Sequence, residues 1–194
     1  MRVHEEKFIR SKNIEQQNNY EKYREFLRND FRNTCGYCGK LEKVTKNKFE
    51  IDHLVPVRLA PERECDYTNL VYSCFNCNRK KGGKFPTENK NLLNDGLKGV
   101  IDPLSDEYDL HIQRTSEGDI IGTTELGRYV CSRIFKFDIR PIRQIWKAGE
   151  LYKKKKILEK RLETIDLDPI KFKEYLNIVK SLDELYDYFF EKSE

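Results

Sequence analysis

The stretches CGYCG (35–39) and CFNCN (74–78) decide the fold, because each places two thiols three positions apart. This spacing lets both sulfurs of a pair bind one ion at about 2.3 Å, and two pairs complete a tetrahedron. Soft thiolates in a closed shell suit zinc, although an iron–sulfur cluster needs the same ligand count and stays an alternative. We therefore predict a structural Zn²⁺ ion on four cysteines: Cys35, Cys38, Cys74 and Cys77.

The 35 residues between the two pairs contain further candidate site residues. This gap exceeds the roughly 15–20 residues of common zinc ribbons, so it must hold an inserted structural element. Its segment FEIDHLVP (49–56) is typical of a strand, in which the adjacent side chains of Asp52 and His53 point to opposite faces. That geometry favours two roles, one holding a cation and the other handling a proton. Asn69 precedes a second strand-like run, and Asn78 directly follows the last cysteine.

Residues 33–84 as a whole resemble a zinc-stabilised HNH nuclease domain, also called the ββα-metal or treble-clef type. The matching text is CGYCG, then FEIDHLVP, then YTNLVYSCFNCNRKKGG. The three motif positions hold His53, Asn69 and Asn78, which is the recognised His-Asn-Asn version of the pattern. The resemblance implies a zinc-stabilised ββα-metal core. Together with the helical patterns on either side, it predicts an α+β fold with an N-terminal helix and a mostly helical C-terminal region.

The resemblance also implies a metal-dependent endonuclease that hydrolyses DNA phosphodiester bonds. His53 would be the general base that activates water, since neutral imidazole with an ordinary pKa of about 6.5 accepts a proton near neutral pH. Asp52 and Asn78 would bind the catalytic divalent cation, and Asn69 would orient His53. Oxygen ligands without a second imidazole favour Mg²⁺ or Mn²⁺ over Zn²⁺ at this second metal site.

The distribution of charge predicts an anionic partner. The net charge is +4, and residues 33–90, with eleven bases and seven acids, account for all of the excess. A second basic segment, 147–161, has seven bases against two acids and would extend a DNA track, although lysine runs also occur on solvated helices. The residues that we expect to contact DNA phosphates lie where the helix of an HNH domain starts: Arg79, Lys80, Lys81 and Lys84.

The cellular context is predicted from the compartment and from a looser resemblance. No apolar run approaches the about 20 residues of a membrane span, and the N-terminus lacks the apolar core of a secretory signal, so we expect a cytoplasmic protein without a membrane partner. Residues 19–38 and 101–146 are similar to bacterial HNH proteins associated with phage defence, which implies an antiviral defence or restriction role. Because a free nuclease would endanger its host, we expect restraint by a regulatory or targeting protein, by DNA structure or by modification.

Four segments are predicted along the chain. An amphipathic helix over residues 13–32 is expected from its apolar spacing, and a Ser-Glu-Gly-Asp turn after Thr115 predicts a short hairpin. The predicted segments are an N-terminal helical segment (1–32), the nuclease domain (33–85), a connector with a β-hairpin (86–122) and a helical C-terminal region (123–194).

Two other classes of function stay open at this point. A zinc-ribbon module that binds nucleic acid or acts as an adaptor would keep the thiols and make Asp52, His53 and Asn78 incidental. A thiol redox protein would use the Cys-x-x-Cys pairs directly, but this chain lacks the βαβ setting of thioredoxin-like proteins. The remaining cysteines, Cys65 and Cys131, have no spaced partner and are expected to be buried small apolar residues.

Overall fold

The computed structural model describes residues 1–45, 47–162 and 169–191, and the side chains of residues 161, 162 and 186–191 lie outside that description. The chain divides into two compact units, Met1–Ile142 and Arg143–Glu194. The first unit has short helices and two small sheets, and the second has two long helices. This confirms the predicted α+β class with a helical C-terminus. The parts of the predicted C-terminal region at 163–168 and 192–194 are outside the described residues.

The N-terminal helix is shorter than predicted. A 3₁₀ turn at Tyr20–Tyr23 leads into α1 (Arg24–Asp30), and residues 13–19 are not helical. The start is set by Asn19, whose side chain accepts a hydrogen bond from the Glu21 amide at 2.9 Å and thereby caps the turn. Leu27 and Phe31 are fully buried, whereas Phe26 is 43% exposed.

A ββα unit follows the first cysteine pair. Strand β1 (Glu50–His53) pairs antiparallel with β2 (Leu70–Ser73), and α2 (Phe75–Lys81) starts immediately after Cys74. In this register Asp52 lies opposite Val71 and His53 lies opposite Leu70. All four residues of β2 are buried, so this strand forms the centre of the unit. Helix α2 ends at Gly82, whose φ of +50° is a backbone conformation that side-chain-bearing residues rarely adopt.

The remainder of the first unit packs onto the same core. Helix α3 (Glu107–His111) leads into an antiparallel hairpin of β3 (Ile112–Arg114) and β4 (Ile120–Gly122), followed by α4 (Glu125–Tyr129) and a π-helical turn at Val130–Ile134. Leu126, Val130 and Ile134 are buried in the core cluster that also contains the four cysteines. The first compact unit therefore extends past residue 122 to Ile142.

The second unit consists of α5 (Ile142–Leu162), which begins at the last residue of the first unit, and α6 (Pro169–Glu191). Its small apolar cluster is formed by Leu158, Ile178 and Leu182. No helix among the described residues carries enough continuous apolar sequence to cross a bilayer. Of the two unpaired cysteines, Cys131 is buried as expected, whereas Cys65 is only partly buried.

Candidate functional site

The four paired cysteines converge on one point. Their sulfur atoms all lie within 4.8 Å of one another, and all four residues are buried. The Sγ atoms of Cys38 and Cys74 are 3.8 Å apart, which is close to the edge of a tetrahedron with metal–sulfur bonds of about 2.3 Å. Zinc fits this donor set, because four soft thiolates close the coordination shell. A closed shell would leave no position for a substrate, so an ion bound by these four thiolates would have a structural role.

The backbone of the first knuckle shapes one half of this centre. The Gly39 amide donates to the Cys35 carbonyl at 2.9 Å, which closes the turn between the two thiols. Gly39 has a φ of +67°, and a Cβ there would lie 2.8 Å from the Val3 carbonyl oxygen, so only glycine fits. Hydrogen bonds from Cys35, Cys74 and Cys77 to the Cys38 sulfur lower the pKa of Cys38 well below its ordinary value. Burial, in contrast, raises the pKa values of Cys35 and Cys77 well above their ordinary values.

His53 is half-buried at the end of β1. Its Nε2 atom lies 2.9 Å from the Glu64 carbonyl oxygen, and the Tyr20 ring meets the imidazole edge-on with ring centroids 4.9 Å apart. A carbonyl oxygen only accepts hydrogen bonds, so Nε2 carries the proton in this arrangement. The neutral imidazole then leaves Nδ1 as its basic nitrogen.

Asn69 fixes the loop that follows His53. Its side-chain oxygen accepts a hydrogen bond from the Val55 amide at 2.9 Å, and its Nδ2 donates to the Val55 carbonyl at 3.0 Å and to the Arg63 carbonyl at 3.3 Å. The residue is fully buried. In addition, the Asn69 backbone carbonyl accepts from the Leu54 amide at 2.8 Å. Asn69 thus holds the backbone directly after His53, at Leu54 and Val55.

Asp52 lies in the interior of the domain. Its Oδ1 accepts from the Lys81 ammonium at 3.1 Å, and its Oδ2 accepts from the Tyr37 hydroxyl at 2.5 Å. Lys81 also donates to the His53 carbonyl at 2.6 Å, and its side chain has no exposed surface. Burial together with the Asp52 charge raises the pKa of Tyr37 well above its ordinary value, so this hydroxyl stays protonated and donates. Both carboxylate oxygens of Asp52 therefore have partners within the protein.

Asn78 contacts a different carboxylate. Its Nδ2 donates to Glu50 Oε2 at 2.6 Å. Glu50 lies two residues before Asp52 on β1. Because residues two apart on a strand share a face, Glu50 and Asp52 both face α2, where Asn78 meets the first and Lys81 the second. Asn78, Glu50 and Tyr20 line a cavity of about 400 Å³. His53 is not among its lining residues, although the His53 ring contacts Tyr20.

The four predicted phosphate contacts have different environments. Lys80 and Arg79 are exposed, and Arg79 also stacks over the Phe75 ring at 4.9 Å and lies 3.4 Å from Glu50. Lys84 is exposed, although its ammonium donates to the Arg133 carbonyl at 3.2 Å. Lys81 is different, because its ammonium is buried against Asp52. The expectation that Lys81 contacts phosphate at the surface is corrected by this burial.

A catalytic cation requires oxygen donors that face the solvent. The side chains of Asn78 and Glu50, both at the cavity, fit that requirement. The carboxylate of Asp52 fits it only if the Lys81 ammonium moves away, since this ammonium already balances its charge. Asn78 lies at the cavity and Asp52 is buried behind it, and the cation site that they would share stays a prediction.

Several site residues were missed by sequence reasoning. Glu50 lies on the same face of β1 as Asp52. The alternation of side chains along a strand could therefore have identified it as a site residue from the sequence. Tyr37 lies inside the first Cys-x-x-Cys pair, but nothing in the sequence indicates that its hydroxyl reaches Asp52. Tyr20 comes from the N-terminal 3₁₀ turn and reaches His53 only through the packing of that turn on the domain.

The comparisons with known proteins agree with this geometry. The family model described as HNH endonuclease matches residues 35–84. This range begins at the first zinc-binding cysteine and ends after α2, so it contains the ββα unit and all four thiols. No curated protein and no solved structure matches the chain. Residues 35–84, with their converging cysteines and ββα unit, therefore form a domain of the HNH endonuclease type.

Proposed function

We propose that this protein is a metal-dependent endonuclease that hydrolyses DNA phosphodiester bonds. The observation that carries the proposal is the HNH match over residues 35–84 together with the position of His53 at the end of β1. The exposed bases Arg79, Lys80 and Lys84 follow on α2 and just after it, where they supply positive charge for a phosphate backbone. DNA is the substrate class that the HNH family implies.

His53 is the general base of the proposed reaction. Nε2 is held by the Glu64 carbonyl, so Nδ1 is the nitrogen that accepts a proton from the attacking water. Asn69 is a positioning residue, because it fixes the Val55 backbone beside His53 without facing the solvent. Loss of Asn69 would misplace the base by fractions of an ångström, which lowers kcat more than it raises KM.

The divalent cation, Mg²⁺ or Mn²⁺, would be held by Asn78 together with a carboxylate of β1. When bound, it supplies positive charge that offsets the charge developing on the phosphate and on the leaving oxygen. Asp52 remains the proposed carboxylate partner, and Glu50 is the competing one, since it already contacts Asn78. Paired variants separate the two, because Asp52→Asn and Glu50→Gln each remove one charge while keeping the side-chain shape.

Binding of Mn²⁺ can be measured directly by electron paramagnetic resonance, without reference to cleavage. If Asp52 is the ligand, Asp52→Asn weakens Mn²⁺ binding and Glu50→Gln does not. The opposite result assigns the role to Glu50. Equal binding in both variants and in the wild type would remove the β1 carboxylates from the cation site altogether.

The proposed activity is tested on supercoiled plasmid with Mg²⁺, Mn²⁺ or EDTA. The expected result is nicking or linearisation that needs a divalent cation and is lost in His53→Ala. The matched control is His111→Gln, which removes the half-buried imidazole outside the HNH domain that contacts the Thr124 hydroxyl at 2.6 Å. Cleavage that persists in His53→Ala, or that fails equally in His111→Gln, would contradict the proposed role of His53.

One observation favours a second candidate, a zinc-stabilised module that binds nucleic acid without cutting it. The charge of Asp52 is already neutralised by Lys81, as expected of a carboxylate with a structural role. Under this alternative, the plasmid binds to the protein but stays supercoiled with every cation. The same plasmid assay therefore distinguishes the two candidates.

The proposed biological setting is carried by a separate resemblance outside the ββα unit. The resemblance of residues 19–38 and 101–146 to bacterial HNH proteins associated with phage defence supports an antiviral or restriction role in the cytoplasm. A regulatory or targeting protein would then restrain the nuclease. If purified protein freely degrades host chromosomal DNA at physiological salt, restraint by DNA structure or by modification is refuted, and only a protein partner could supply it.

A further inference from the structure

We infer that Arg140 is a positioning residue of the structural zinc centre, where its guanidinium donates hydrogen bonds to the Cys77 thiolate. The Nη1 and Nη2 atoms of Arg140 lie 3.4 Å and 3.5 Å from Cys77 Sγ. Both guanidinium nitrogens therefore face the same sulfur. Arg140 lies well outside the matched range of residues 35–84, and its role does not depend on whether the protein cleaves DNA.

The charge of a four-thiolate zinc site explains why a guanidinium belongs there. Four thiolates around one Zn²⁺ carry a net charge of two negative units, and all four cysteines of this site are buried. A buried charge is costly unless it is paired or hydrogen-bonded. An arginine remains charged at every physiological pH and presents several N–H donors in a rigid plane, which suits it to this position.

The orientation of Arg140 is fixed by its own surroundings. Its Nη1 atom also donates to the Phe135 carbonyl at 3.2 Å, and its guanidinium carbon lies 5.3 Å from the centre of the Phe137 ring. Phe135 and Phe137 stack on each other in the core with ring centroids 5.2 Å apart. The guanidinium is thus held against the sulfur by a rigid segment and does not reach it by chance from a mobile surface.

A second arginine donates a hydrogen bond to the backbone of the other knuckle. Arg114 is 3% exposed, and it donates to the Cys38 carbonyl at 2.7 Å and to the Gly118 carbonyl at 2.6 Å. Arg114 comes from β3, whereas Arg140 follows the π-helical turn. Each knuckle therefore has one arginine from outside the matched range, and the segment from β3 to Arg140 is part of the metal centre.

The inference is tested on the full chain with two metals. Zinc release to a chromogenic chelator measures how firmly the thiolates hold the ion. Replacement by Co²⁺ gives a sulfur-to-metal charge-transfer band whose energy depends on hydrogen bonding to the thiolates. The test variants are Arg140→Met, which removes all donors, and Arg140→Lys, which keeps the charge but not the planar fork. The matched control is Arg133→Met, since Arg133 is exposed in the same segment.

We expect Arg140→Met to release zinc at least about tenfold faster than the wild type, which is the usual scale for losing a residue that supports a metal ligand. Its Co²⁺ band should move to lower energy, because a thiolate without hydrogen bonds is a better electron donor. In both the zinc-release rate and the energy of the Co²⁺ band, Arg140→Lys should lie between Arg140→Met and the wild type. Arg133→Met should match the wild type in both. A Co²⁺ band and release rate for Arg140→Met equal to those of Arg133→Met would overturn the inference.

Loss of folding in Arg140→Met does not remove the test. Arg140→Lys keeps a positive charge and most of the apolar stem, and its Co²⁺ band reports the thiolate alone. A shift of that band relative to both the wild type and Arg133→Met supports donation by the guanidinium. An unshifted band in a folded Arg140→Lys protein would show that the thiolate does not need the two donors of the guanidinium, contrary to the inference.

Discussion

Lys81 and Asp52 are two opposite charges that are removed from water together. Their separation of 3.1 Å and the absence of exposed surface on the Lys81 side chain make each the main source of compensation for the other. The Tyr37 hydroxyl donates a hydrogen bond to the second oxygen of the Asp52 carboxylate. The Lys81 ammonium donates a further hydrogen bond to the His53 carbonyl. Removal of one partner of such a pair strongly destabilises the folded protein, because it leaves the other charge buried and unpaired.

Lys81→Met should therefore destabilise the zinc-bound protein by about 3–5 kcal/mol. The variant leaves the Asp52 carboxylate buried with only Tyr37 as a donor. In the double variant Lys81→Met/Asp52→Asn the unpaired charge is gone, so part of the lost stability should return. Urea unfolding followed by circular dichroism gives both values. A fully additive double variant would show that the two side chains are not coupled.

Asp102, unlike the Lys81–Asp52 pair, is expected to destabilise the folded protein when it is ionised, so its effect on stability depends on pH. Burial raises the pKa of Asp102 above its ordinary value, against the opposing effects of the Leu104 amide and of Arg10. The folded state then holds the Asp102 proton more tightly than the unfolded chain does, so the ionised carboxylate opposes folding at neutral pH. This destabilisation disappears as the pH falls through the raised pKa, because the folded protein is then protonated.

We therefore expect Asp102→Asn to be more stable than the wild type at pH 7, with a difference that shrinks towards pH 4. Urea unfolding at several pH values, with Zn²⁺ in excess, measures this difference. The control is Asp95→Asn, because the amides of Lys98 and Leu97 lower the pKa of Asp95 and its loss should slightly destabilise the protein. A stabilised Asp95→Asn variant, or an Asp102→Asn variant without a pH-dependent gain, would contradict the assignment.

The residues that sequence reasoning could identify were those marked by local spacing. Two-residue gaps are enough to pair Cys35 with Cys38 and Cys74 with Cys77, because both ligands of a knuckle come from one turn. The partner of Asp52 was not predictable in this way. Lys81 is 29 positions away, and it was taken for a surface base because it stands in a run of basic residues. Only the packing of α2 on β1 directs its side chain inward.

At the scale of elements, the zinc knuckles and the β1–β2 pair depend on each other. The Gly36 amide, inside the first knuckle, donates to the Tyr72 carbonyl of β2 at 2.9 Å. The second knuckle includes Cys74, directly after β2, and the first turn of α2. Zinc therefore fixes the entry to the sheet and the start of the helix at the same time, which a segment with so short a strand pair needs.

Removal of zinc by a chelator should consequently raise amide hydrogen exchange by at least about tenfold across the first knuckle, β2 and α2, since the folding free energy of such small units comes largely from the metal. Helix α6, in the second unit, serves as the internal reference because its small apolar cluster is separate from the cysteines. Hydrogen–deuterium exchange with mass spectrometry resolves these segments. Unchanged exchange in α2 after complete zinc removal would show that the apolar core alone holds this unit.

The boundaries of elements were the weaker part of the sequence prediction. Apolar spacing over 13–32 favoured a helix, but it could not reveal that Asn19 ends the extended segment by capping the next turn. In the same way, turn chemistry located the β3–β4 hairpin, but nothing local indicated that α4 packs against it in the core of the first unit. Side-chain capping and tertiary packing decide these boundaries, and a periodic pattern contains neither.

For the whole molecule, the prediction concerns the basic segment 147–161, which was expected to extend the DNA track. Part of its charge is compensated within α5, where Lys153 pairs with Glu150 and Lys156 pairs with Glu159. Lys147, Lys154 and Lys160 are exposed. Exposed lysines of this kind add to a phosphate-binding surface only if the DNA reaches α5, which charge patterning alone cannot decide.

The triple variant Lys147→Gln/Lys154→Gln/Lys160→Gln tests whether DNA reaches α5. Each lost phosphate contact reduces the slope of log K against log salt concentration by about 0.9 for duplex DNA, so three contacts would lower it by nearly 3. Binding is measured with EDTA present, which prevents cleavage, at several salt concentrations. The matched control, Lys153→Gln/Lys156→Gln, removes lysines that already face acids and should change the slope less. If the triple variant keeps the slope of the wild type, these three lysines make no phosphate contacts and the predicted extension of the DNA track along α5 is wrong.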